Sequence, residues 1–342
     1  TPAAAAGKIH FNQRLAAREP GAPELPMHDA GNRKVIYAAL AGNLAITLLK
    51  FIAATLTGSA AMMAEGFHSA ADSGNQLMLL IGHHRAAKPP DEEHPYGYGQ
   101  EIYFWAFMVS VTIFFVGALF SLFEGVEKLL HPHPISSIRL SLTVIAVAVL
   151  LEGYPWLVAV NEVRRHRKYP GLRGFIKQIL EAKDPTIMVV FFEDSAALAG
   201  LAIAALGVSL AWHYQQPAFD ALASLAIGAI LLYISFILAR ETRNLLIGES
   251  ASREHRQLIR RVVTAIPQVR RCGRIMTMHL GPANILLNLD IEFVDGLSTD
   301  EVEAAVDAIE NKIRAALPLV KKIYIEAESL TGREAASSRT AP

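Results

Sequence analysis

Residues 59–83 read SAAMMAEGFHSAADSGNQLMLLIGH, and the reading of this stretch decides the fold class. It is long enough to cross the hydrocarbon core of a bilayer, which takes about 20 residues of helix, yet it carries Glu65, His68 and Asp72. Alone it would also suit a buried helix of a soluble protein. Its neighbours decide the matter, because five further apolar stretches of similar length follow one another along the chain. They run from Val35 to Thr57, Ile102 to Leu129, Leu140 to Val160, Pro185 to Trp212 and Phe219 to Leu238. The expectation is an all-α domain of six transmembrane helices over residues 33–247.

Composition agrees. Of the 342 residues, 52% are hydrophobic, and the mean hydropathy of +0.30 is high for a domain that must wet its whole surface. Lysine plus arginine and aspartate plus glutamate both number 32, so no global field exists to attract nucleic acid. The single cysteine, Cys272, excludes an internal disulfide framework and a cysteine-rich zinc cluster. Residues 1–32 mix Ala, Pro and charge without the order of a secretory signal, and are expected to form a flexible arm.

Short loops set the orientation through their cations. Arg33 and Lys34 precede the first span, Arg85 and Lys88 follow the second, and Arg164, Arg165, Arg167, Lys168, Arg173, Lys177 and Lys183 follow the fourth. The turns at Gly58 and at 215–217 carry none, and the loop after the third span has only Lys128 and Arg139 at its edges. Both termini are therefore expected in the cytoplasm, in a multi-pass protein of a bacterial inner membrane or an organelle membrane.

From Gly248 the chain turns to mixed charge and short alternating segments, which predicts a small cytoplasmic α+β domain over residues 248–328. Helices are expected at Ser252–Ile266 and Thr299–Leu317, and strands at Arg274–Leu280, Ile285–Phe293 and Lys322–Ala327. Ser298 and Glu301 have the spacing of a capping box. The small, polar tail over 329–342 is expected to be disordered.

An ionisable side chain inside a span costs about 2.5–3.5 kcal/mol on insertion scales, so each one asks for a reason. Glu65, His68 and Asp72, at i, i+3 and i+7, share one stripe of a helix. The fifth span brings Glu193 and Asp194 eight and nine residues after Pro185, near the middle of the bilayer. Adjacent residues point about 100° apart, so one of the pair faces His68 and Asp72, and Asp194 is the choice. Glu193 either completes the shell or turns toward Glu152 of the fourth span through a shared proton, and Glu152 is itself a weaker candidate ligand. Imidazole nitrogen with carboxylate oxygen suits zinc and its first-row neighbours. The bland alternative is a polar network that merely glues helices together.

Outside this set the signals are weaker. Asp91 and His94, at i, i+3, are a candidate chelate or a solvated loop before Pro95-Tyr96-Gly97-Tyr98-Gly99. His131 and His133 read as an interfacial loop. Asp220 is read as a helix cap or the wall of an exit vestibule, and Lys50 as a lysine that snorkels from the outer end of the first span. Tyr96, Tyr98, Tyr103, Phe104 and Trp105 read as an interfacial belt.

Together, Gly58-Ser59-Ala60, the run Ala64 to Asn75, His94-Pro95-Tyr96-Gly97-Tyr98-Gly99 and Asp220-Ala-Leu-Ala-Ser224 resemble the cation diffusion facilitator family of divalent metal transporters. The resemblance covers about Arg33 to Ala327. It implies a homodimer, with a tetrahedral transport site in each protomer between spans two and five. His68 and Asp72 fall on the family's pair in span two, and Asp194 on its span-five aspartate. Many members place another ligand four residues earlier, where this chain has Val190. Glu193-Asp194 resembles the branch with an acidic pair instead. Carboxylate from Glu193 or Glu65 in place of the missing donor hardens the site, which opens it to manganese, iron or cobalt beside zinc, the leading choice. The C-terminal domain resembles the family's metallochaperone-like module. With only His255, His279 and Cys272 as donors there, the expectation is dimerisation without metal regulation.

Ligands that must lose protons to take a cation make binding and proton release one linked event, so the expected activity is export of the metal in exchange for protons. No resident cofactor is expected. The sequence has no Gly-x-x-x-x-Gly-Lys-Ser/Thr loop for ATP and no His-Glu-x-x-His of a metalloenzyme. The rival expectation is a non-transporting scaffold or regulatory subunit of the same fold.

Overall fold

The computed structural model describes residues 30–165, 171–181 and 183–327, with side chains described from Gly42 onward except at 155, 158, 159, 162, 163, 165 and 172. The tail and nearly all of the N-terminal arm, with Arg167 and Lys168, lie outside the described residues. Among the described residues, seven helices precede the C-terminal domain: α1 (Ala30–Thr57), α2 (Ala60–Ala86), α3 (Glu101–Leu130), α4 (Ile138–Arg165), α5 (Gly171–Glu181), α6 (Pro185–Tyr214) and α7 (Ala218–Leu246). Among the described residues, α3, α6 and α7 are long and apolar enough by composition to cross a membrane, and Gly42–Thr57 is a shorter apolar stretch. Helix α2, at 27 residues, has the length, and its ionisable residues lower its hydropathy.

Small residues let these helices approach closely, as they must where lipid offers no hydrophobic drive to pack. A side chain at Gly207 of α6 would strike Ala223 of α7. Gly228 of α7 faces Leu122 of α3, and Gly82 of α2 faces Trp105 of α3. Within α3 the backbone widens to i→i+5 spacing over Ile113–Leu119.

Local chemistry explains the helix ends. Ser59 caps α2 by accepting from the Met62 amide, and Asp184 caps α6 by accepting from the amides of Thr186 and Ile187, with Pro185 at the first helical position. Gln215 ends α6 in the left-handed conformation, φ 56°. Helix α5 corrects the sequence reading, in which this segment was only a cation-rich loop. Phe175 and Ile179 are buried on one side of it.

Helix α8 (Arg253–Thr264), strands β1 (Val269–Gly281) and β2 (Asn284–Phe293), helix α9 (Thr299–Ala316) and strand β3 (Val320–Ala327) form the C-terminal domain. The sheet order is β1-β2-β3, antiparallel then parallel. Ile285, Leu287, Leu289 and Ile291 alternate onto one face, where they meet Ile259 and Val263 of α8 and Ile309 and Ile313 of α9. This two-layer arrangement is the expected α+β unit, and the Ser298–Glu301 capping box is present. Contacts between named residues join it to the helical domain. Gly99 packs on the backbone of Leu280 and Gly281, and Lys183, just before α6, pairs with Glu249 at 2.7 Å.

Candidate functional site

A cavity of about 180 Å³ opens inside the helical domain, and four carboxylates line it: Asp72 from α2, Glu152 from α4, and Glu193 and Asp194 from α6. Ser69, Asn43 and Val190 share the wall. Asp194 lies nine residues into α6, about 14 Å along its axis, so the cavity sits well inside the helical layer.

Glu193 does not turn to Glu152; its Oε1 accepts from Asn75 Nδ2 at 2.6 Å, and its carboxyl group neighbours that of Asp72. His68 stands behind Asp72, with Nδ1 3.5 Å from Oδ1. Both ring nitrogens of His68 and the Asp72 Oδ1 are buried without a hydrogen-bond partner. Buried polar atoms left open in this way are the exception in folded proteins and invite a ligand. Among the described residues, no three His, Cys, Asp or Glu side chains are already gathered tightly enough to hold a metal ion. The groups stand around a cavity rather than gathered at one point.

Glu65 departs from the expected stripe because Lys50 claims it. Lys50 is fully buried and does not snorkel: its Nζ lies 3.1 Å from Glu65 Oε2, 2.8 Å from Glu152 Oε1 and 2.7 Å from Ser69 Oγ. The sequence reading missed this because spacing along α1 cannot show which helix its lysine meets. Glu65 Oε1 lies hard against Gly200 of α6, where any side chain would displace it. Gly200→Ala is therefore expected to lower thermal stability by about 1–3 kcal/mol through overpacking, read as a lower melting temperature in detergent.

Asp220 is a cap, but for α2 rather than for its own helix. Its carboxylate accepts from Ser59 Oγ (2.6 Å), the Ala60 amide (2.6 Å) and the Ala61 amide (3.4 Å), and pairs with Lys128 at 3.1 Å. Lys128 also donates to the Gly58 carbonyl, and both charged side chains are fully buried. These groups together fix the start of the helix that carries His68 and Asp72.

Asp91 and His94 lie apart from the cavity in the loop after α2. Asp91 accepts from the His94 amide at 2.7 Å and from the Tyr98 hydroxyl at 2.6 Å, while the rings of His94 and Tyr98 stack at 4.2 Å. The Tyr98 bond holds the Asp91 carboxyl below the usual carboxylate range and pushes the Tyr98 phenol up to about 12. This is a loop staple with both carboxylate oxygens engaged. The aromatic belt also needs correcting, since Tyr103 is wholly buried in the helical core. In the C-terminal domain, Cys272 is buried among the core residues, and burial lowers the pKa of His279 from the ordinary range.

Against known proteins, residues 36–247 match the family model described as the cation efflux transmembrane domain, and residues 251–330 match that of the cation efflux protein cytoplasmic domain. The human protein named proton-coupled zinc antiporter SLC30A9, mitochondrial, is 34% identical over 207 residues, covering 60% of this chain and 36% of the relative. The chain thus spans little more than a third of that protein's length. Metal tolerance protein C4 of Arabidopsis thaliana is 29% identical over 206 residues, covering 60% of this chain and 45% of the relative. The cation-efflux pump FieF of Klebsiella pneumoniae is 26% identical over 238 residues, covering 68% and 71%. A solved nickel form of the MamM CTD matches at 14% identity and a TM-score of 0.22, covering 23% of this chain and 98% of that one.

Proposed function

The chain belongs to the cation diffusion facilitator (cation efflux) family, and from that premise we propose that it exports divalent transition-metal cations in exchange for protons, with zinc as the principal cargo. One observation carries the reading: Asp72, Glu152, Glu193 and Asp194 converge on one cavity within the helical domain. Several carboxylates cannot share a space of low dielectric as bare anions, so either a cation or protons must balance them. Groups that alternate between those two states are the working parts of an exchanger.

The cargo follows from the donors. Asp72, Asp194 and Glu193 supply oxygen and His68 supplies nitrogen, a mixture that suits zinc. Val190 in the wall offers no donor, so oxygen dominates, which admits manganese, iron or cobalt as secondary cargo. The name of the human relative supports zinc and proton coupling for that protein, and the proposal extends both to this chain. The ion enters from the cytoplasmic side, where the cation-bearing loops and both termini lie, and leaves at the end marked by Gly58. Two copies pair through their C-terminal domains, as the family resemblance implies, in a bacterial inner membrane or an organelle membrane.

The test is uptake by proteoliposomes of the purified chain. Under an imposed pH gradient, zinc uptake is expected to run several-fold above protein-free vesicles and to collapse when the gradient is dissipated. Uptake at the protein-free level for zinc, manganese, iron and cobalt would favour the non-transporting scaffold.

A further inference from the structure

Deepening the transport reading and resting on it, we propose that Glu152 of α4 is a direct oxygen ligand of the transported ion, and that Lys50 of α1 is the residue that positions it. The cavity has no donor at Val190, and its α4 wall carries the Glu152 carboxylate. That carboxylate is half engaged. Oε1 accepts from Lys50 at 2.8 Å, while Oε2 is buried without any partner. Glu152 also lies within electrostatic range of both Asp72 and Asp194.

An ammonium has three donors, and Lys50 spends all three, on Glu65, Ser69 and Glu152. Its direction is thereby fixed, and with it the direction of the Glu152 carboxylate. One oxygen anchored by an outer partner and the other left open is the pose of a supported metal ligand. A purely adhesive role explains less. Lys50 and Glu65 alone would make a neutral buried pair joining α1 to α2, with both side chains at 0% exposure. The second carboxylate is surplus to that task, leaves the cluster one negative charge in excess, and stands in the cavity wall.

The inference extends the ion site to a third helix. Closure on the ion then draws α4 toward α2 and α6, whose carboxylates are not yet gathered. Lys50 acts here as a fixed charge that never leaves its partners.

The test is zinc uptake across a concentration series by proteoliposomes, beside direct zinc binding to the detergent-purified full chain. Glu152→Gln keeps an oxygen for Lys50 and removes the ligand charge, so KM and the dissociation constant are expected to rise about 10–100-fold with a smaller change in kcat. Lys50→Met should do the same and Lys50→Arg should restore most of the affinity. The double variant Lys50→Met/Glu152→Gln should be no weaker than either single one, since both act through one oxygen. If Lys50→Met does not fold, Lys50→Met/Glu65→Gln removes one charge of each sign and should show the same rise. Wild-type uptake with an unaltered zinc KM in Glu152→Gln, or fully additive losses in the double variant, overturns the assignment alone. Absence of uptake by the wild type overturns the transport reading, and this assignment with it.

Discussion

Asp72→Asn and Asp194→Asn are each expected to reduce proton-driven zinc uptake by at least about a hundredfold, while the melting temperature stays within a few degrees of wild type. The two substitutions preserve shape and remove one negative charge from the cavity wall. A divalent ion that has shed its water in a medium of low dielectric depends on charge more than on dipoles, and a hundredfold loss corresponds to only about 2.8 kcal/mol. Asn also carries no proton to exchange, so the coupling should fail with the affinity. Because Asp72 Oδ1 accepts no hydrogen bond, and an asparagine can still hydrogen-bond the neighbouring Glu193, the substitution costs the fold little. That separates the expected functional loss from a structural one. Near-normal uptake in both variants would remove these residues from the site.

The second large effect is on stability. Asp220→Ala is expected to destabilise the protein by about 3–5 kcal/mol, because it leaves Lys128 buried and unpaired. It also strips the start of α2 of an acceptor for the Ser59 hydroxyl and two amides. Ser59→Ala, which removes only the cap hydroxyl, should cost about 1 kcal/mol. Adding Lys128→Met to Asp220→Ala should recover a substantial part of the loss, since no buried charge then lacks a partner. The comparison is made on thermal unfolding in detergent, and a loss under about 1 kcal/mol for Asp220→Ala would show that the pair adds little.

Those two results divide the molecule into groups whose order in sequence was readable and groups whose partners were not. The apolar runs located the long helices, although α7 continues past the expected Leu238 to Leu246, and Ser59, Asp184, Pro185 and Ser298 mark starts because they act locally on the backbone next to them. Helical geometry led to the expectation that Asp194 alone of the acidic pair faces Asp72, whereas both line the cavity and Glu193 is the one beside Asp72, because two adjacent residues can border a cavity wide enough to span their angle. Lys50 was misread because its meaning comes from α2 and α4, which lie 15 and 102 residues away in sequence. Asp220 was half read: capping was foreseen, but it caps a helix 160 residues earlier. Helix α5 left a local signal, since Phe175, Ile176, Ile179 and Leu180 recur at helical spacing, but the surrounding cations masked it.

The arrangement also explains why small residues matter near the charges. Gly200 leaves room for one oxygen of Glu65 against α6 while the other accepts from Lys50, which also holds Glu152. A polar cluster and a close helix crossing therefore stand or fall together, and mutations at either should couple when combined.

A divalent ion is expected among the carboxylates between α2 and α6, and zinc-edge anomalous scattering from crystals of the zinc-loaded protein locates it. One strong peak is expected in the helical domain, about 2.0–2.2 Å from oxygens of Asp72 and Asp194 and from a nitrogen of His68. Zinc confined to the C-terminal domain or to the Asp91–His94 loop, with no anomalous peak in the cavity at saturating zinc, would contradict it.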